Sequence, residues 1–287
     1  MRADVPDRWS RPVFLASMGR SGSTLLQRLL NVHPEITIWG EHGGFLSGIL
    51  SSYSTANHEA TVKNLAEGFE HRHTVIGELS EKDAFKPWVS PFKSEDLSAV
   101  VQSLLIEMFT KGLSPSIRWG FKEIRYTDAE LSELMAIFPE ARLVILARDL
   151  PGYATSRFFA FGNTDFDLDS DEGRQAATQN LTKMMNGWIN RYEGLLRVHE
   201  RFADRCSLVA YPDLVVGSER PARLFEELGE LVPRGEAIEA VLGAKAGSSF
   251  KFNSAARSNR EKLGELIESA DVDRARSAAI SERFGIS

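Results

Sequence analysis

The sequence predicts an α/β fold in which a mainly parallel central sheet is flanked by helices on both faces. Short apolar runs of strand length alternate along the chain with longer stretches of helical periodicity. The first of these runs leads through a glycine-containing loop into a helix. Several runs also end in a polar or charged residue, which is typical of ligand sites at the carboxyl ends of parallel strands.

The strand candidates are short runs rich in leucine, β-branched and aromatic residues. They cover residues 13–16, 117–121, 143–147 and 207–210, and residues 36–39 are expected to form a short extended segment. The helix candidates cover residues 25–30, 45–53, 60–73, 97–110, 131–138, 153–161, 173–202 (capped near Ser170), 220–231 and 237–242, with a further helical C-terminal segment. In the 97–110 helix the expected core face is formed by Val100, Val101, Leu104, Leu105, Met108 and Phe109. Residues 246–259 are expected to be irregular.

Composition limits the classes of protein that the chain can represent. Its 287 residues, 43% of them hydrophobic, are enough for a substantial core, and we expect one domain over 1–287 with a loose polar arm at 1–12. A net charge of −6 gives no basic footprint for nucleic acid. The sequence contains no run of about 18 apolar residues, so no transmembrane helix is expected. The single cysteine, Cys206, fits a reducing compartment such as the cytoplasm and is expected to be a buried structural thiol.

The loop after the first strand is predicted to bind phosphate. Its residues are Gly19, Arg20, Ser21, Gly22, Ser23 and Thr24. The N-terminus of the following helix presents unpaired N–H groups and partial positive charge to an anion. The glycines allow close approach of the main chain to a ligand, the hydroxyls add donors, and Arg20 adds charge.

This loop differs from a Walker A loop in one respect. The Walker pattern requires a lysine directly before the final serine or threonine, whereas Ser23 stands before Thr24 here. The only nearby cation is Arg20, inside the loop. An ATPase or GTPase is therefore disfavoured.

Three other strand candidates end in residues suited to binding an anionic ligand. Lys122 follows the strand at 117–121, Arg148 follows the strand at 143–147, and Tyr211 follows the strand at 207–210. In a parallel sheet these side chains should lie at the same edge as the phosphate-binding loop.

These motifs resemble those of the sulfotransferase family, whose members use 3′-phosphoadenosine 5′-phosphosulfate (PAPS). The segment from Gly19 to Pro34, GRSGSTLL followed by HP, is similar to the family's 5′-phosphosulfate signature. Arg148 with Ser156 resembles its 3′-phosphate signature. The likeness covers residues 13–215 and is strongest to the branch of tyrosylprotein sulfotransferases and related bacterial proteins. It implies a P-loop-like fold.

The resemblance also implies roles for further residues. Glu41 occupies the position of the general base in a Gly-Glu pair, and His42 is the alternative base. Lys122 matches the family's lysine before the second signature, and Tyr211 lies in a YxDL pattern that lines the nucleotide. Two cations in the C-terminal third are candidates, by composition only, for a segment that closes over the nucleotide: Lys251 and Arg257.

The implied reaction is in-line transfer of a sulfonate group from PAPS to an acceptor hydroxyl, leaving 3′-phosphoadenosine 5′-phosphate (PAP). Glu41 would take the acceptor proton and Lys122 would stabilise the developing charge. No metal is expected, and the six histidines show no ligand spacing. The acceptor is left open among small molecules, carbohydrates and protein tyrosine, although the acidic run at 165–172 favours a cationic one. A small-molecule kinase using ATP and a non-catalytic nucleotide-binding module are the alternatives.

Overall fold

A computed structural model describes residues 5–56, 94–160, 166–244 and 254–286. Its centre is a five-stranded sheet with the strand order β2-β3-β1-β4-β5. The strands are β1 Val13–Ser17, β2 Ile36–Trp39, β3 Arg118–Glu123, β4 Arg142–Ala147 and β5 Cys206–Ala210. Every pairing is parallel, which confirms the predicted α/β class and the four predicted strands, and the expected extended segment at 36–39 forms the fifth strand, β2.

Helices connect and cover the strands. In the described ranges they are α1 Ser23–Leu30, α2 Leu46–Ala56, α3 Ser94–Thr110, α4 Asp128–Ile137, α5 Leu150–Ala160, α6 Asp171–Arg201, α7 Arg220–Glu227, α8 Gly235–Gly243, α9 Ser254–Ser269 and α10 Arg274–Arg283. The long helix α6 begins after Ser170, whose side chain accepts a hydrogen bond from the backbone N–H of Gly173, as the sequence predicts. The helix predicted at 60–73 lies outside the described residues.

The central strand β1 separates two cores. Phe14 and Ala16 belong to the larger core, which they share with residues of α2 to α6, α9 and α10. Val13 and Leu15 face the other way, into a core shared with α1, α7 and α8. Alternate residues of a strand point to opposite faces, so this pattern places helices on both sides of the sheet.

The N-terminal arm is not loose over Asp7–Ser10, which form a 3₁₀ helix. Arg8 pairs with the buried carboxylate of Glu230 at 3.0 Å. Trp119 on β3 donates its indole N–H to the carbonyl of Trp9 at 2.7 Å. The arm is therefore held by contacts with residues that are distant in the sequence, and no local sequence pattern predicts such contacts.

Helix α3 is present as predicted, but its buried face differs. Leu105 and Ile106 are buried, whereas Val100, Leu104 and Met108 are at least 42% exposed. The helix carries two overlapping apolar stripes, so periodicity alone did not fix which stripe faces the core.

Two smaller expectations also need correction. Helix α9 begins at Ser254, so the backbone from there to 259 is helical rather than irregular. Cys206 is only half-buried, at the start of β5. Burial still raises the pKa of its thiol to about 12, which keeps it protonated and inert as a nucleophile.

Candidate active site

Gly22 closes the loop between β1 and α1 in a conformation that suits glycine alone. Its φ is +95°, in the left-handed region. A methyl group on its Cα would lie 2.6 Å from Tyr211 Cε2 and nearer still to Cδ2. The backbone conformation therefore disfavours a side chain here, and the Tyr211 ring leaves no room for one.

The N-terminus of α1 retains the donors of an anion-binding site. The N–H groups of Leu25 and Leu26 both donate to the carbonyl of Gly22, at 2.9 and 3.2 Å. The preceding N–H groups, of Ser23 and Thr24, have no acceptor within the helix, and Gly22 offers no capping side chain. These groups and the positive end of the helix dipole favour a bound anion.

Arg20 is the one non-glycine residue with positive φ in the described part of the chain, at +73°. Such a conformation costs an L-residue about 1–2 kcal/mol. The side chain reaches α5, where Nε donates to the hydroxyl of Ser156 at 3.4 Å. The strained backbone at Arg20 thus brings the loop after β1 into contact with Ser156, a residue of the predicted second phosphate site.

The side chain of Ser21, one of the loop hydroxyls predicted to donate to a ligand, packs inward. The residue is fully buried, and its hydroxyl lies 3.0 Å from the hydroxyl of Tyr192 on α6. Tyr192 itself donates to the carbonyl of Leu146 on β4 at 2.8 Å. The Ser21 hydroxyl therefore anchors the loop to the core and does not face outward.

Arg148 follows β4 and lies against Tyr211 on the neighbouring strand end. Its guanidinium carbon is 4.7 Å from the centroid of the Tyr211 ring. Its Nε is buried and has no hydrogen-bond partner in the structure. A buried, unpaired guanidinium N–H is unfavourable on its own, which makes it a candidate donor to an anionic ligand.

Lys122 and Glu41 form an ion pair beside the loop, with Lys122 Nζ 2.8 Å from Glu41 Oε1. Lys122 is buried, and its Nζ also lies 3.4 Å from Thr24 Oγ1 at the start of α1. Arg125 contacts the other carboxylate oxygen of Glu41 at 3.1 Å. Glu41 is thereby held between two cations at the mouth of the anion-binding loop.

Glu123, the residue after Lys122, was missed by the sequence reasoning. It is 1% exposed and accepts hydrogen bonds from the N–H groups of Gly44 and Ile124, at 2.9 and 2.8 Å. The Arg125 guanidinium contacts it at 2.9 Å. Burial raises the pKa of Glu123, but the hydrogen bonds from Ile124, Arg125 and Gly44 outweigh that effect and lower it. This carboxylate fixes the segment that carries Glu41 to the end of β3.

His42, the alternative base, lies among aromatic rings. Its Nε2 is hydrogen-bonded to the hydroxyl of Tyr126. Its ring contacts those of Phe45, Phe109 and Phe121, with centroids 5.1, 5.6 and 4.8 Å away. Burial lowers the pKa of His42, so the imidazole is neutral near pH 7.

The structure joins the predicted site residues into one continuous set of contacts along the carboxyl edge of the sheet. The contacts run from Glu41 through Lys122 to Thr24, from Gly22 through Tyr211 to Arg148, and from Arg20 to Ser156. Lys251 and the Arg257 side chain lie outside the described residues.

Comparison with known proteins identifies the family of the chain. A model of the sulfotransferase family matches residues 12–229, most of the chain. The chain belongs to the sulfotransferase family. Transfer of a sulfonate group is therefore its general activity, and the sheet is that of the P-loop-like sulfotransferase fold.

Solved structures of other sulfotransferases resemble this one at low sequence identity. The sulfotransferase domain of the Synechococcus PCC 7002 olefin synthase is 18% identical, with 100% of this chain and 99% of that chain covered and a TM-score of 0.49. A sulfotransferase from Alicyclobacillus acidocaldarius is 12% identical, with coverage of 96% and 97% and a TM-score of 0.48. STF9 from Mycobacterium avium is 16% identical, with coverage of 99% and 78% and a TM-score of 0.49. A search of curated proteins found no significant match. The family assignment rests on the family model.

Helix α6 of this sulfotransferase supports the site by hydrogen bonds to the backbone at the strand ends, which sequence reasoning also missed. Arg191 donates to the carbonyl of Tyr126, after β3, and to that of Ser17 at the end of β1. Trp188 donates its indole N–H to the carbonyl of Arg148 at 3.1 Å. One helix therefore holds the ends of three strands.

No helix in the described ranges is both long enough and apolar enough to cross a membrane. Within those same ranges, no three histidine, cysteine or acidic side chains cluster closely enough to hold a metal ion.

Proposed function

We propose that this sulfotransferase moves the sulfonate group of PAPS to the hydroxyl of an acceptor, with Glu41 as the general base. The observation that carries the proposal is the Lys122–Glu41 pair, 2.8 Å apart, beside Thr24 at the N-terminus of α1. A carboxylate and a buried cation thus stand at the mouth of an anion-binding loop. General bases act within hydrogen-bond reach of the proton they take, so this is where the acceptor hydroxyl belongs.

The residues at the sheet edge fit the two phosphate groups of the nucleotide. The unpaired N–H groups of α1 and the Arg20 side chain would hold the 5′ end, with Ser23 and Thr24 as hydroxyl donors. The buried, unpartnered Nε of Arg148 supports a second anion site, which Ser156 would complete. PAPS supplies an activated sulfonate when it is bound.

Tyr211 connects the two phosphate sites. It contacts Gly22 on one side and the Arg148 guanidinium on the other. We expect its aromatic ring to line the nucleotide, where an aromatic face packs well against a base or sugar. Ser21 would serve by fixing the loop, since its hydroxyl is bonded to Tyr192.

The catalytic side chains have separate tasks. Glu41 accepts the proton of the acceptor hydroxyl, and Arg125 and Glu123 keep its segment in place. Lys122 is buried, so its charge acts through a medium of low dielectric constant on the negative charge that develops during transfer. Catalysis by this site is therefore mainly positioning and charge stabilisation.

The first experiment measures binding of PAP, ATP and magnesium-ATP by thermal denaturation. PAP should stabilise the protein by about 2.7 kcal/mol at a hundred times its Kd, whereas ATP should have little effect. A preference for magnesium-ATP would instead support a kinase and contradict the proposal.

The second experiment tests the roles of the catalytic pair. Labelled PAPS with a panel of hydroxyl acceptors identifies turnover, and Glu41→Gln and Lys122→Ala should then abolish most of it while PAP binding is largely retained. The matched controls are Glu140→Gln and Lys111→Ala, which change exposed residues away from the site. If Glu41→Gln and Lys122→Ala behave like these controls, the assigned roles are wrong. If the wild-type protein binds PAP but turns over no acceptor, it is a nucleotide-binding module.

The proposal extends to the setting of the enzyme. We place the activity in a single domain over residues 1–287, acting in the cytoplasm, where its one thiol would stay reduced. A limited proteolysis experiment in the presence of PAP tests the domain assignment, since a single domain should be protected as one unit.

A further inference from the structure

A cavity of about 400 Å³ opens beside the phosphate-binding loop, between α5 and α6. This volume suits a small organic ligand. Its lining in the described residues consists of Met18, Tyr153, Arg157, Asn180, Lys183, Met184 and Gly187. None of the residues to which the proposed reaction assigns a role is among them.

The cavity adjoins the start of the phosphate-binding loop. Met18 in its wall immediately precedes Gly19 of the loop. A methyl group on the Cα of Gly19 would lie 3.7 Å from Arg157 Nη1 and 3.4 Å from Ile124 Cδ1. Ile124 follows the end of β3, which carries Lys122. A molecule in this cavity therefore lies beside the loop, through Met18 and Arg157 in the cavity wall.

The polar lining of the cavity consists of hydrogen-bond donors and cations. Arg157 and Lys183 bring two positive charges, Asn180 brings an amide, and no described carboxylate contributes to the wall. Tyr153 is fully buried, and its hydroxyl has no hydrogen-bond partner in the structure. A buried hydroxyl without a hydrogen-bond partner lowers the stability of the fold. An oxygen atom of a bound ligand could accept the hydrogen bond that the Tyr153 hydroxyl lacks.

From this lining we infer that the cavity is the acceptor site and that it recognises an oxyanion group, such as a carboxylate, on the acceptor. The inference rests on the proposed sulfonate transfer and adds to it the chemical class of the acceptor. Arg157 and Lys183 bind the oxyanion, Tyr153 donates to it, and the two methionines pack against the apolar part. The acceptor hydroxyl then extends past Gly19 toward Glu41.

Two described residues of the acidic run at 165–172, which favoured a cationic acceptor, have contacts outside the cavity. Asp169 forms an ion pair with Lys262 on α9. The carbonyl of Asp167 accepts from the Ser170 side chain that caps α6. Neither acidic residue lines the cavity. The charged side chains that the described residues contribute to the cavity wall are both positive.

Calorimetry on the PAP-saturated enzyme tests the inference with acceptors that differ only in charge. The pairs are 4-hydroxyphenylacetate with 4-hydroxyphenylacetamide, and 4-hydroxybutyrate with 4-hydroxybutyramide. At least one carboxylate should bind about ten-fold more tightly than its amide, because charge-assisted hydrogen bonds are stronger than neutral ones. Equal binding within both pairs, or no binding of any member, overturns the inference and leaves PAP binding intact.

Variants assign the preference to this cavity. Lys183→Glu, on an exposed position of α6, should abolish the preference for the carboxylate, and Tyr153→Phe should reduce it. Lys111→Glu makes the same charge change on an exposed residue outside the cavity and should leave the preference unchanged. A preference that survives Lys183→Glu contradicts the inference. Weakened PAP binding in Lys183→Glu assigns the cations to the nucleotide and also contradicts it, whereas failure of the wild-type protein to bind PAP overturns the proposed function itself.

Discussion

Replacement of Gly22 by alanine tests whether the loop, Tyr211 and Arg148 act as one unit. Gly22 combines a φ of +95° with the close approach of the Tyr211 ring. The new methyl group would meet Tyr211 Cε2 at 2.6 Å, whereas carbon atoms pack at about 3.5–4.0 Å. The ring must therefore retreat by roughly 1 Å, away from Gly22 and out of its position against the Arg148 guanidinium.

The expected cost has a backbone part and a contact part. An alanine in the left-handed region loses about 1–2 kcal/mol relative to glycine, which lowers the melting temperature by roughly 2–4 °C per kcal/mol in a chain of this size. Displacement of Tyr211 should also weaken nucleotide binding. We expect the Kd for PAP to rise more than ten-fold, because Gly22 and Arg148, one from each anion site, both contact that ring.

Gly112 provides the matched control, because its φ is +82° and no atom lies within 4 Å of where a methyl group would stand. Gly112→Ala therefore carries the backbone cost without the contact. Urea denaturation of both variants and calorimetry with PAP separate the two effects. If Gly22→Ala is no less stable than Gly112→Ala and binds PAP with wild-type affinity, the assignment of Tyr211 as the link between the two sites is wrong.

Other predictions concern the supports of the site. Glu123→Gln should destabilise the protein by about 1–3 kcal/mol at pH 7. Because the pKa of Glu123 lies below its ordinary value of 4.5, that difference in unfolding free energy should persist above this pH and shrink as the pH falls below it, which urea denaturation at pH 7 and pH 3.5 would measure. Arg20→Gly removes the strain at a φ of +73° and should raise stability by up to about 1 kcal/mol, although PAP affinity measured by calorimetry should fall. Tyr192→Phe leaves the buried carbonyl of Leu146 without its donor and should cost about 1–3 kcal/mol in thermal denaturation, and a variant as stable as the wild type would contradict this.

Much of the site could be predicted from the sequence because its signals are local. A glycine-rich loop between a strand and a helix is a continuous segment, and Gly22 meets the conformational requirement expected of it. Lys122, Arg148 and Tyr211 each follow a short apolar run directly. In a parallel sheet all such strand ends share one edge, so three separate positions could be placed together without any knowledge of the packing.

The supports of the site could not be predicted, because their partners are distant in the chain. Glu123 follows Lys122 and looks like one half of an exposed charged pair, yet it is buried by a loop that comes some eighty residues earlier. Arg191 and Tyr192 lie in a long helix rich in polar residues, where nothing local distinguishes a half-buried arginine from an exposed one. The stripe of α3 that includes Val100 was assigned wrongly for the same reason, since the tertiary contacts decide which apolar side is covered.

The contacts of Trp188, Arg191 and Tyr192 make α6 a common mount for the site. A small rotation of this helix would move the residues that we propose to hold the nucleotide, and the segment that carries the proposed base, in the same direction. The wall of the neighbouring cavity, through Lys183, would travel with them. Substitutions on the side of α6 that carries Lys183 could therefore change which acceptor is bound. The side that carries Trp188, Arg191 and Tyr192 would meanwhile keep the strand ends aligned.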